Sequence, residues 1–352
     1  MNVGRRAVRS LVALGVGAAV LTGCSDDGAS SPSADATDGG ESPCAALEGE
    51  TVTLVVPYSP GGGYDVYARM IAPYFEEELG ATIVVQNQEG AGGLLAINDL
   101  TTAEPDGTTV AIMNGQGSVG AALAGAEGAS FDVAELTYLG KVAGESPVAV
   151  VGAQTDYETW EDVRDASGFQ WGSSGLGAED YINSSFLTSV FDMDAEVVTG
   201  FPGSSETELA VTAGDVDGMT GDPSSRRGAI ESGDHRPVLV IGREKPEWLP
   251  EDVPLVSDIE ATDEQAALIE PQVALMEMGR PLVAPPGMSD ELTGCLRDAL
   301  AATLENEELV AEAEQQERPI NYLSGEEVEE LVQQLLDAPD EYQELLATFF
   351  TN

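Results

Sequence analysis

The chain has 352 residues and carries 63 acidic side chains against 14 lysines and arginines, for a formal net charge of −49. A surface this negative repels polyanions, so nucleic acid is excluded as a partner. Its size exceeds what one compact core usually organises, which favours two lobes. The acidity suits a salty habitat that screens self-repulsion, and equally suits an ordinary acidic extracellular protein.

The N-terminus has the pattern of an export signal. Three arginines within the first nine residues precede a short apolar run that ends in a lipobox at 21–24. This order predicts a lipoprotein signal peptide over 1–23, with lipid attached to Cys24. The run is too short to remain in the membrane as a helix. Both the general and the twin-arginine export routes stay open. We expect an extracytoplasmic protein anchored at the cell membrane through Cys24.

Residues 24–44 are mainly Ser, Asp, Gly, Ala, Pro and Thr, a composition that predicts a disordered tether. Two further cysteines, Cys44 and Cys295, remain after Cys24. In an oxidising exterior such a pair favours a disulfide, with two buried free thiols as the alternative.

Beyond residue 45 the chain alternates strand-like and helix-like segments, which predicts an α/β fold with parallel strands and right-handed crossovers. Apolar, β-branched runs predict strands at 51–57, 83–86, 109–113, 136–142, 148–151, 169–173, 195–199, 216–220, 237–241 and 282–284. Apolar residues at helical spacing predict helices at 66–79, 93–103, 160–165, 179–190, 205–213 and 289–304, the last opening a helical C-terminal run.

The same pattern divides the body into lobes. We expect the first part of lobe 1 at 45–150, lobe 2 at 151–278, and the return to lobe 1 with C-terminal helices at 279–352. The apolar crossings at 148–151 and 281–284 are candidates for a two-strand hinge.

Four loops that follow predicted strands are rich in glycine and in hydroxyl or amide side chains: 60–65, 87–93, 114–118 and 172–177. Ligands of open parallel sheets bind beyond the carboxyl ends of the strands, so these loops are expected to face one crevice. Glycine lets backbone N–H groups approach an anion closely, and helix N-termini add a favourable dipole. Tight turns without a ligand are the alternative for any single loop.

Other kinds of site find little support. The P-loop and dinucleotide fingerprints are missing, and no His and Cys cluster has metal-ligand spacing, so no cofactor is expected. A secreted hydrolase is the rival function, but His235 is the single histidine and no nucleophile elbow accompanies it. We interpret His235 as a surface residue in a polar loop.

The stretch 55–69, VVPYSPGGGYDVYAR, together with NQEGAGG at 87–93 and PDG at 105–107, resembles the substrate-binding receptors of tripartite tricarboxylate transporters, the Bug family. The segments 171–175, 201–204 and 214–217 resemble later loops of that family. The resemblance implies a two-lobed type II periplasmic-binding-protein fold with a two-strand hinge. It also implies a small organic ligand, often a carboxylate, and transporter subunits in the membrane as partners. We expect a monomer that touches the membrane only through its anchor.

Ligand contacts carried over from the resemblance lie in both lobes: Pro60, Gly62, Tyr64, Asp65, Asn87, Ala91, Gly92, Ser173, Ser174, Gly175, Phe201 and Asp217. Asp65 has helix N-cap as an alternative role. The residue types in the third loop add Asn114, Gln116 and Ser118, with turn formation as the alternative.

Two departures from the family pattern bear on the ligand. Tyr64 stands where a small hydroxyl residue is common, and Glu179 with Asp180 adds carboxylates near the second-lobe loop. Extra carboxylates disfavour a multiply charged anion. The sequence therefore favours a monocarboxylate, an aromatic acid or a zwitterion over citrate.

Overall fold

A computed structural model describes residues 43–175 and 178–350. The predicted signal peptide, Cys24 and nearly all of the predicted tether lie outside these ranges, as do Leu176 and Gly177. The described residues belong to one compact unit by their contacts.

The described residues contain two β-sheets. The strands in chain order are β1 (Thr51–Val56), β2 (Thr82–Asn87), β3 (Thr109–Ile112), β4 (Thr137–Ala143), β5 (Val148–Gly152), β6 (Ser167–Gly172), β7 (Asp194–Val198), β8 (Gly218–Gly221), β9 (His235–Val240), β10 (Arg280–Ala284) and β11 (Leu323–Ser324). The first sheet has the order β11-β4-β10-β3-β1-β2 and the second the order β7-β6-β8-β5-β9. The α/β architecture predicted from the sequence is confirmed.

Helices connect the strands and cover the sheets. In chain order they are α1 (Gly63–Leu79), α2 (Leu94–Leu100), α3 (Gly115–Leu123), α4 (Trp160–Arg164), α5 (Glu179–Val190), α6 (Ser204–Ala213), α7 (Pro223–Ser232), α8 (Asp263–Glu277), α9 (Asp290–Glu305), α10 (Glu307–Gln315), α11 (Gly325–Leu336) and α12 (Asp340–Phe350). None of the helices in 43–175 and 178–350 has the length and apolar character needed to cross a membrane.

Strand direction decides which loops share an edge. β1 pairs in parallel with β2 and β3, whereas β10 runs antiparallel to β3 and β4. The start of β10 therefore lies at the edge where β1, β3 and β4 end. In the second sheet β6 is parallel to β7 and β8, and β5 is antiparallel to β8 and β9. One edge of each sheet thus collects the loops that the sequence singled out.

Helix α1 shows how local sequence produces an element at this edge. Tyr67, Ile71 and Phe75 lie on its buried face, in the spacing of an apolar helical stripe. Gly80 ends the helix at φ 63°, with its N–H donating to the Glu76 carbonyl, as a left-handed C-cap requires. The predicted end is confirmed, and the helix starts three residues earlier than predicted.

The chain crosses between the sheets at two glycines. The first crossing follows β4 at Gly144, and the second precedes β10 at Gly279. A Cβ added to Gly144 would lie 3.0 Å from Cα of Gly279, so the two crossings lie side by side. Each segment predicted as a hinge strand lies within a single sheet: 148–151 in the second sheet and 281–284 in the first. The chain crosses between the sheets just before each of these segments.

Three helices escaped the sequence-based prediction: α3, α7 and α8. The sequence of α3, GQGSVGAAL, combines low helix propensity with buried residues along most of its length, so tertiary packing rather than propensity makes it helical. The internal Pro271 of α8 likewise obscures a helix that begins with a capping box at Thr262.

A disulfide joins Cys44 to Cys295, whose Cα atoms lie 5.4 Å apart across a sequence separation of 251 residues. Cys44 belongs to a 3-10 turn at Pro43–Ala46, and Cys295 is buried in α9. The bond attaches the start of the body to a helix that packs on α1 and β4.

We expect the double substitution Cys44→Ser with Cys295→Ser to lower the free energy of unfolding by about 3 to 5 kcal/mol, because it removes a long covalent loop from the unfolded chain. Urea unfolding with and without reductant measures the loss. The reductant should shift the wild-type midpoint and leave the double variant unchanged. Equal midpoints for oxidised and reduced wild type would contradict the stabilising role.

Candidate ligand-binding site

Tyr58 joins three of the four predicted loops. Its hydroxyl donates to the Gly92 carbonyl at 2.9 Å and accepts from Nδ2 of Asn114 at 2.8 Å. The loops after β1, β2 and β3 therefore meet at one edge of the first sheet, as their positions at the ends of parallel strands predict. Asn114 is also the N-cap of α3, since its Oδ1 accepts from Gly117 N–H at 3.0 Å.

Asp65 links the first two loops from within α1. Its Oδ2 accepts from the N–H of Gly61 at 2.8 Å and from Nε of Arg69 at 2.9 Å, and its Oδ1 accepts from Nδ2 of Asn87 at 2.9 Å. The hydrogen bond from Arg69 is the main cause that lowers the pKa of Asp65 to about 2. Both oxygens are thus occupied by protein donors, and the N-cap residue is Gly62 rather than Asp65.

Asn87 is similarly occupied by contacts within the protein. Its Nδ2 also donates to the Tyr58 carbonyl at 2.9 Å, and its Oδ1 accepts from Arg69 at 3.1 Å. Asp65 and Asn87 therefore shape the loops, and their side-chain atoms are engaged within the protein.

The start of α1 is the exposed part of this edge. Pro60 and Gly62 are exposed, and Gly62 provides no side-chain cap for the first turn. The first N–H groups of this 17-residue helix therefore have no capping side chain. Ala91 and Gly92, with φ of 49° and 67°, form an exposed turn in the next loop. Uncapped N–H groups at a helix N-terminus attract anions.

The second-sheet loop is organised around Asp180. The hydroxyls of Ser173 and Ser174 donate to Asp180 Oδ1 at 3.1 and 3.0 Å, and the Ser174 N–H donates to Oδ2 at 2.8 Å. Gly175 N–H donates to the Ser173 hydroxyl at 3.2 Å. The carboxylate of Asp180 therefore accepts hydrogen bonds from the loop that precedes its helix.

Arg280 lies at the junction of the two sheets. Its Nη2 is 3.1 Å from Oδ2 of Asp222, which follows β8. Its guanidinium carbon lies 5.2 Å from the ring centroid of Tyr64 and 5.3 Å from that of Tyr67, within the range of cation–π interaction. Nε of Arg280 is buried and has no hydrogen-bond partner among the described residues. One cation thus contacts both sheets and retains a free donor.

The surroundings of Arg280 are aromatic and acidic. The rings of Tyr58 and Tyr64 lie 4.7 Å apart between centroids. Burial raises the pKa of Tyr64 well above its usual value, and Arg280 only partly opposes this. Burial also raises the pKa of Glu179 well above its usual range, with a further contribution from Asp222. Oε1 of Glu179 is buried and lacks a partner in the described part of the chain.

Comparison with known proteins identifies the family of this chain. The sequence-family model named tripartite tricarboxylate transporter family receptor matches residues 67–339 of this chain. The chain belongs to this receptor family. This match confirms the resemblance found in the sequence. TctC-type receptors are extracytoplasmic solute-binding proteins.

Individual relatives of the receptor are distant. Protein BugT of Bordetella pertussis is 29% identical over 100 residues, which cover 28% of this chain and under a third, 31%, of BugT. A TctC solute-binding protein from Polaromonas has a TM-score of 0.70 at 19% identity, covering 85% of this chain and 98% of that one. MatC from Rhodopseudomonas palustris, with bound malate, has a TM-score of 0.59 at 22% identity, covering 84% and 99%. These structures establish the two-lobed periplasmic-binding fold.

Four predicted contacts of the receptor lie elsewhere or have other partners. Gln116 is buried and donates to the Met276 carbonyl at 3.0 Å. Ser118 is buried with no hydroxyl partner among the described residues. Phe201 packs on a small apolar cluster of the second sheet. Asp217 precedes β8, at the opposite edge, and its Oδ2 accepts from Gln170 N–H at 2.8 Å.

His235 is buried rather than exposed, which corrects the expectation of a surface loop. It opens β9 and is 2% exposed. Its Nε2 lies 3.0 Å from the hydroxyl of Thr212. Burial lowers the pKa of His235.

Sequence reasoning missed five residues that line the junction: Tyr58, Tyr67, Glu145, Asp222 and Arg280. Tyr58, Glu145 and Asp222 each follow a strand, so the rule that selected the glycine-rich loops could have found them. Arg280 begins an antiparallel strand, and only the pairing of β10 with β3 and β4 brings it to this edge.

We expect Asp65→Asn to lower the free energy of unfolding by about 1 to 2 kcal/mol at neutral pH, since charge-assisted hydrogen bonds to Arg69 and Gly61 are weakened and Arg69 is half exposed. The depressed pKa makes this stabilisation complete above the unfolded pKa near 3.8 and lost as pH falls through about 2. Urea unfolding of both proteins from pH 7 to pH 2 should show the difference shrinking in acid.

Asp165→Asn is the matched control, because Asp165 is an exposed carboxylate paired with Arg164 alone. It should change stability little at any pH. An Asp65→Asn loss that persists unchanged in acid would contradict an ionic role for Asp65.

Proposed function

We propose that this receptor captures a small carboxylate-bearing solute between its two lobes for a tripartite tricarboxylate-type transporter. The observation that carries the proposal is the joining of three strand-end loops through Tyr58, beside the uncapped start of α1 and next to Arg280. The family membership and the malate bound to MatC support a carboxylate as the ligand group.

The two kinds of donor at this edge have complementary roles. Backbone N–H groups at the start of α1 would meet the carboxylate with a favourable helix dipole. Arg280 would add charge through its free Nε, while Asp222 and the tyrosine rings hold its guanidinium in place. The loop of Ser173 to Gly175 would close from the second sheet. Lobe closure about the crossings at Gly144 and Gly279 then presents a surface to the transporter.

The acidic neighbours limit the charge of the ligand. Asp222 already uses one face of Arg280, and Glu179 and Glu145 lie half-buried nearby. A second carboxylate on the solute would add repulsion in a poorly hydrated place. We therefore propose a monocarboxylate, an aromatic acid or a zwitterion in preference to a multiply charged anion.

A catalytic role has weaker support than capture. A hydrolase needs a base within reach of a nucleophile, and the single histidine is buried against Thr212 with a pKa lowered by burial. We propose that the chain is not an enzyme. A ligand sensor for signalling would use the same capture step, and solute uptake by a deletion strain separates sensing from transport.

A thermal-shift screen of small carboxylates tests the capture. At about 100 times its dissociation constant a ligand stabilises the folded state by about 2.7 kcal/mol, which corresponds to a rise of several degrees in Tm. We expect Arg280→Gln to remove most of the rise, since it deletes the guanidinium donors, and monocarboxylates to outperform malate.

Arg164→Gln is the control for this screen, since Arg164 pairs with the exposed Asp165 away from the strand ends. Each variant is compared with itself with and without ligand, so a change in intrinsic stability does not affect the result. Equal shifts in both variants, or no shift across a broad acid library, would contradict the proposal.

We also propose lipid attachment at Cys24, which lies outside the described residues. The lipobox at 21–24 supports it. In cells fed a labelled fatty acid, wild type should carry label and partition into membranes, and Cys24→Ser should do neither. Membrane partitioning of the unlabelled variant equal to wild type would refute an anchor through Cys24.

A further inference from the structure

A cavity lies beside the two chain crossings at Gly144 and Gly279. Its volume is about 710 Å³, within the range of small-molecule sites. It is bounded by β4, by the segment after β9 and by the segment before β11, with Lys141, Trp248, Arg318 and Ile320 among its lining residues. None of the residues predicted to contact the ligand lines it. Tyr67 stands between the two places, since its hydroxyl donates to the carbonyl of the lining residue Pro319 at 3.0 Å.

The lining of the cavity contains a large share of the chain's few basic residues. Five of the 14 basic residues line it, namely Lys141, Arg227, Arg243, Lys245 and Arg318. Five glutamates line it as well, so the local balance is even although acids outnumber bases 63 to 14 in the whole chain. An anion that is repelled by most of the surface meets no net repulsion here.

Three of the five cations already have partners. Arg243 pairs with Glu277 and with Glu270. The ammonium of Lys245 donates to three backbone carbonyls of the segment 250–253. Arg227 pairs with Glu231 at 2.7 Å. These three side chains are therefore engaged in contacts within the protein.

Lys141 is different because it is buried and unpaired. It lies on β4, is 4% exposed, and has no hydrogen bond or ion pair within the described residues. Burial lowers its pKa to about 8 against the opposing effect of Glu277, Glu327 and Glu244. A desolvated ammonium without a partner costs free energy. An apolar side chain of similar size at this position would avoid that cost, so folding alone does not require a lysine here.

The cavity also offers an apolar wall. Trp248 packs on the apolar cluster of the second sheet, and Arg227 lies 5.2 Å from the centroid of its ring. Pro246 and Ile320 also line the cavity. A flat or aliphatic body can therefore contact one wall while its charged end reaches Lys141.

From these contacts we infer that the cavity is a second binding site, for a monocarboxylate with an aromatic or aliphatic body, whose carboxylate pairs with the ammonium of Lys141. Arg318, which also has no side-chain partner among the described residues, lines the same cavity and adds a second positive charge. None of the predicted ligand contacts lines the cavity, although Glu145 of the junction does, and the inference does not depend on capture at the strand-end loops.

Phenylacetate is a suitable probe, and phenylacetamide is its uncharged counterpart. Titration calorimetry of the full-length mature receptor at physiological ionic strength should show phenylacetate binding and much weaker phenylacetamide binding. Tryptophan fluorescence locates the site, because Trp160 and Trp171 are buried in the core whereas Trp248 lines the cavity. We expect Lys141→Met to weaken phenylacetate binding by roughly tenfold or more, since it removes a charge-assisted hydrogen bond.

The same variant should unfold at an equal or higher temperature than wild type, because it replaces an unpaired buried charge. Arg164→Gln, at an exposed pair, should bind phenylacetate like wild type. The comparison of acid with amide on Arg280→Gln, in which the strand-end site is impaired, keeps the test valid even if Lys141→Met folds poorly. Equal affinity of wild type for acid and amide, equal affinity of wild type and Lys141→Met, or no binding to wild type at millimolar phenylacetate would each overturn the inference.

Discussion

The contact between Gly144 and Gly279 is the constraint on which the rest of the molecule depends. A Cβ added to Gly279 would lie 2.4 Å from the Ala143 carbonyl and 2.8 Å from Cα of Gly144, and the backbone of Gly279 has a φ of 49°. Only glycine combines that conformation with so close an approach. The two chain crossings are therefore held as a tight pair, and the residues that follow each glycine are placed at the junction of the sheets.

Glu145 and Arg280 are those following residues, and their position determines the electrostatics of the junction. Burial is the largest single effect on the pKa of Arg280 and lowers it, but Asp222, Tyr64 and Tyr67 together outweigh burial and raise the pKa. Burial raises the pKa of Glu145. A very acidic protein thus keeps one permanent cation where both lobes meet. Anion binding in such a molecule depends on local groups of this kind, because the field of the whole chain opposes it.

Much of the fold follows from patterns that the sequence displays. β-branched runs and apolar stripes predict most strands and helices, and Gly80 correctly predicts the end of α1. Helix propensity does not predict the glycine-rich α3, because burial rather than local preference makes this segment helical. The meeting of three loops could be predicted because parallel strands end at one edge.

The use of individual polar atoms could not be predicted in the same way. The side chains of Asp65 and Asn87, which the sequence predicts as ligand contacts, hydrogen-bond each other and Arg69. Such reciprocal bonding depends on distances between loops that sequence spacing does not reveal. Arg280 was missed for a related reason, since its place at the edge depends on an antiparallel pairing with distant strands.

The disulfide between Cys44 and Cys295 has a mechanical consequence. Any tension applied through the chain ahead of residue 43 reaches the body first at Cys44, seven residues before β1 begins at Thr51. The covalent bond passes that load into the 16-residue helix α9, which packs against α1 and β4. The first strand, whose end carries the loop of Tyr58, is thereby shielded from pulling. A pull on the chain ahead of Cys44 is therefore borne by α9 and its packing, and the loop that carries Tyr58 keeps its position.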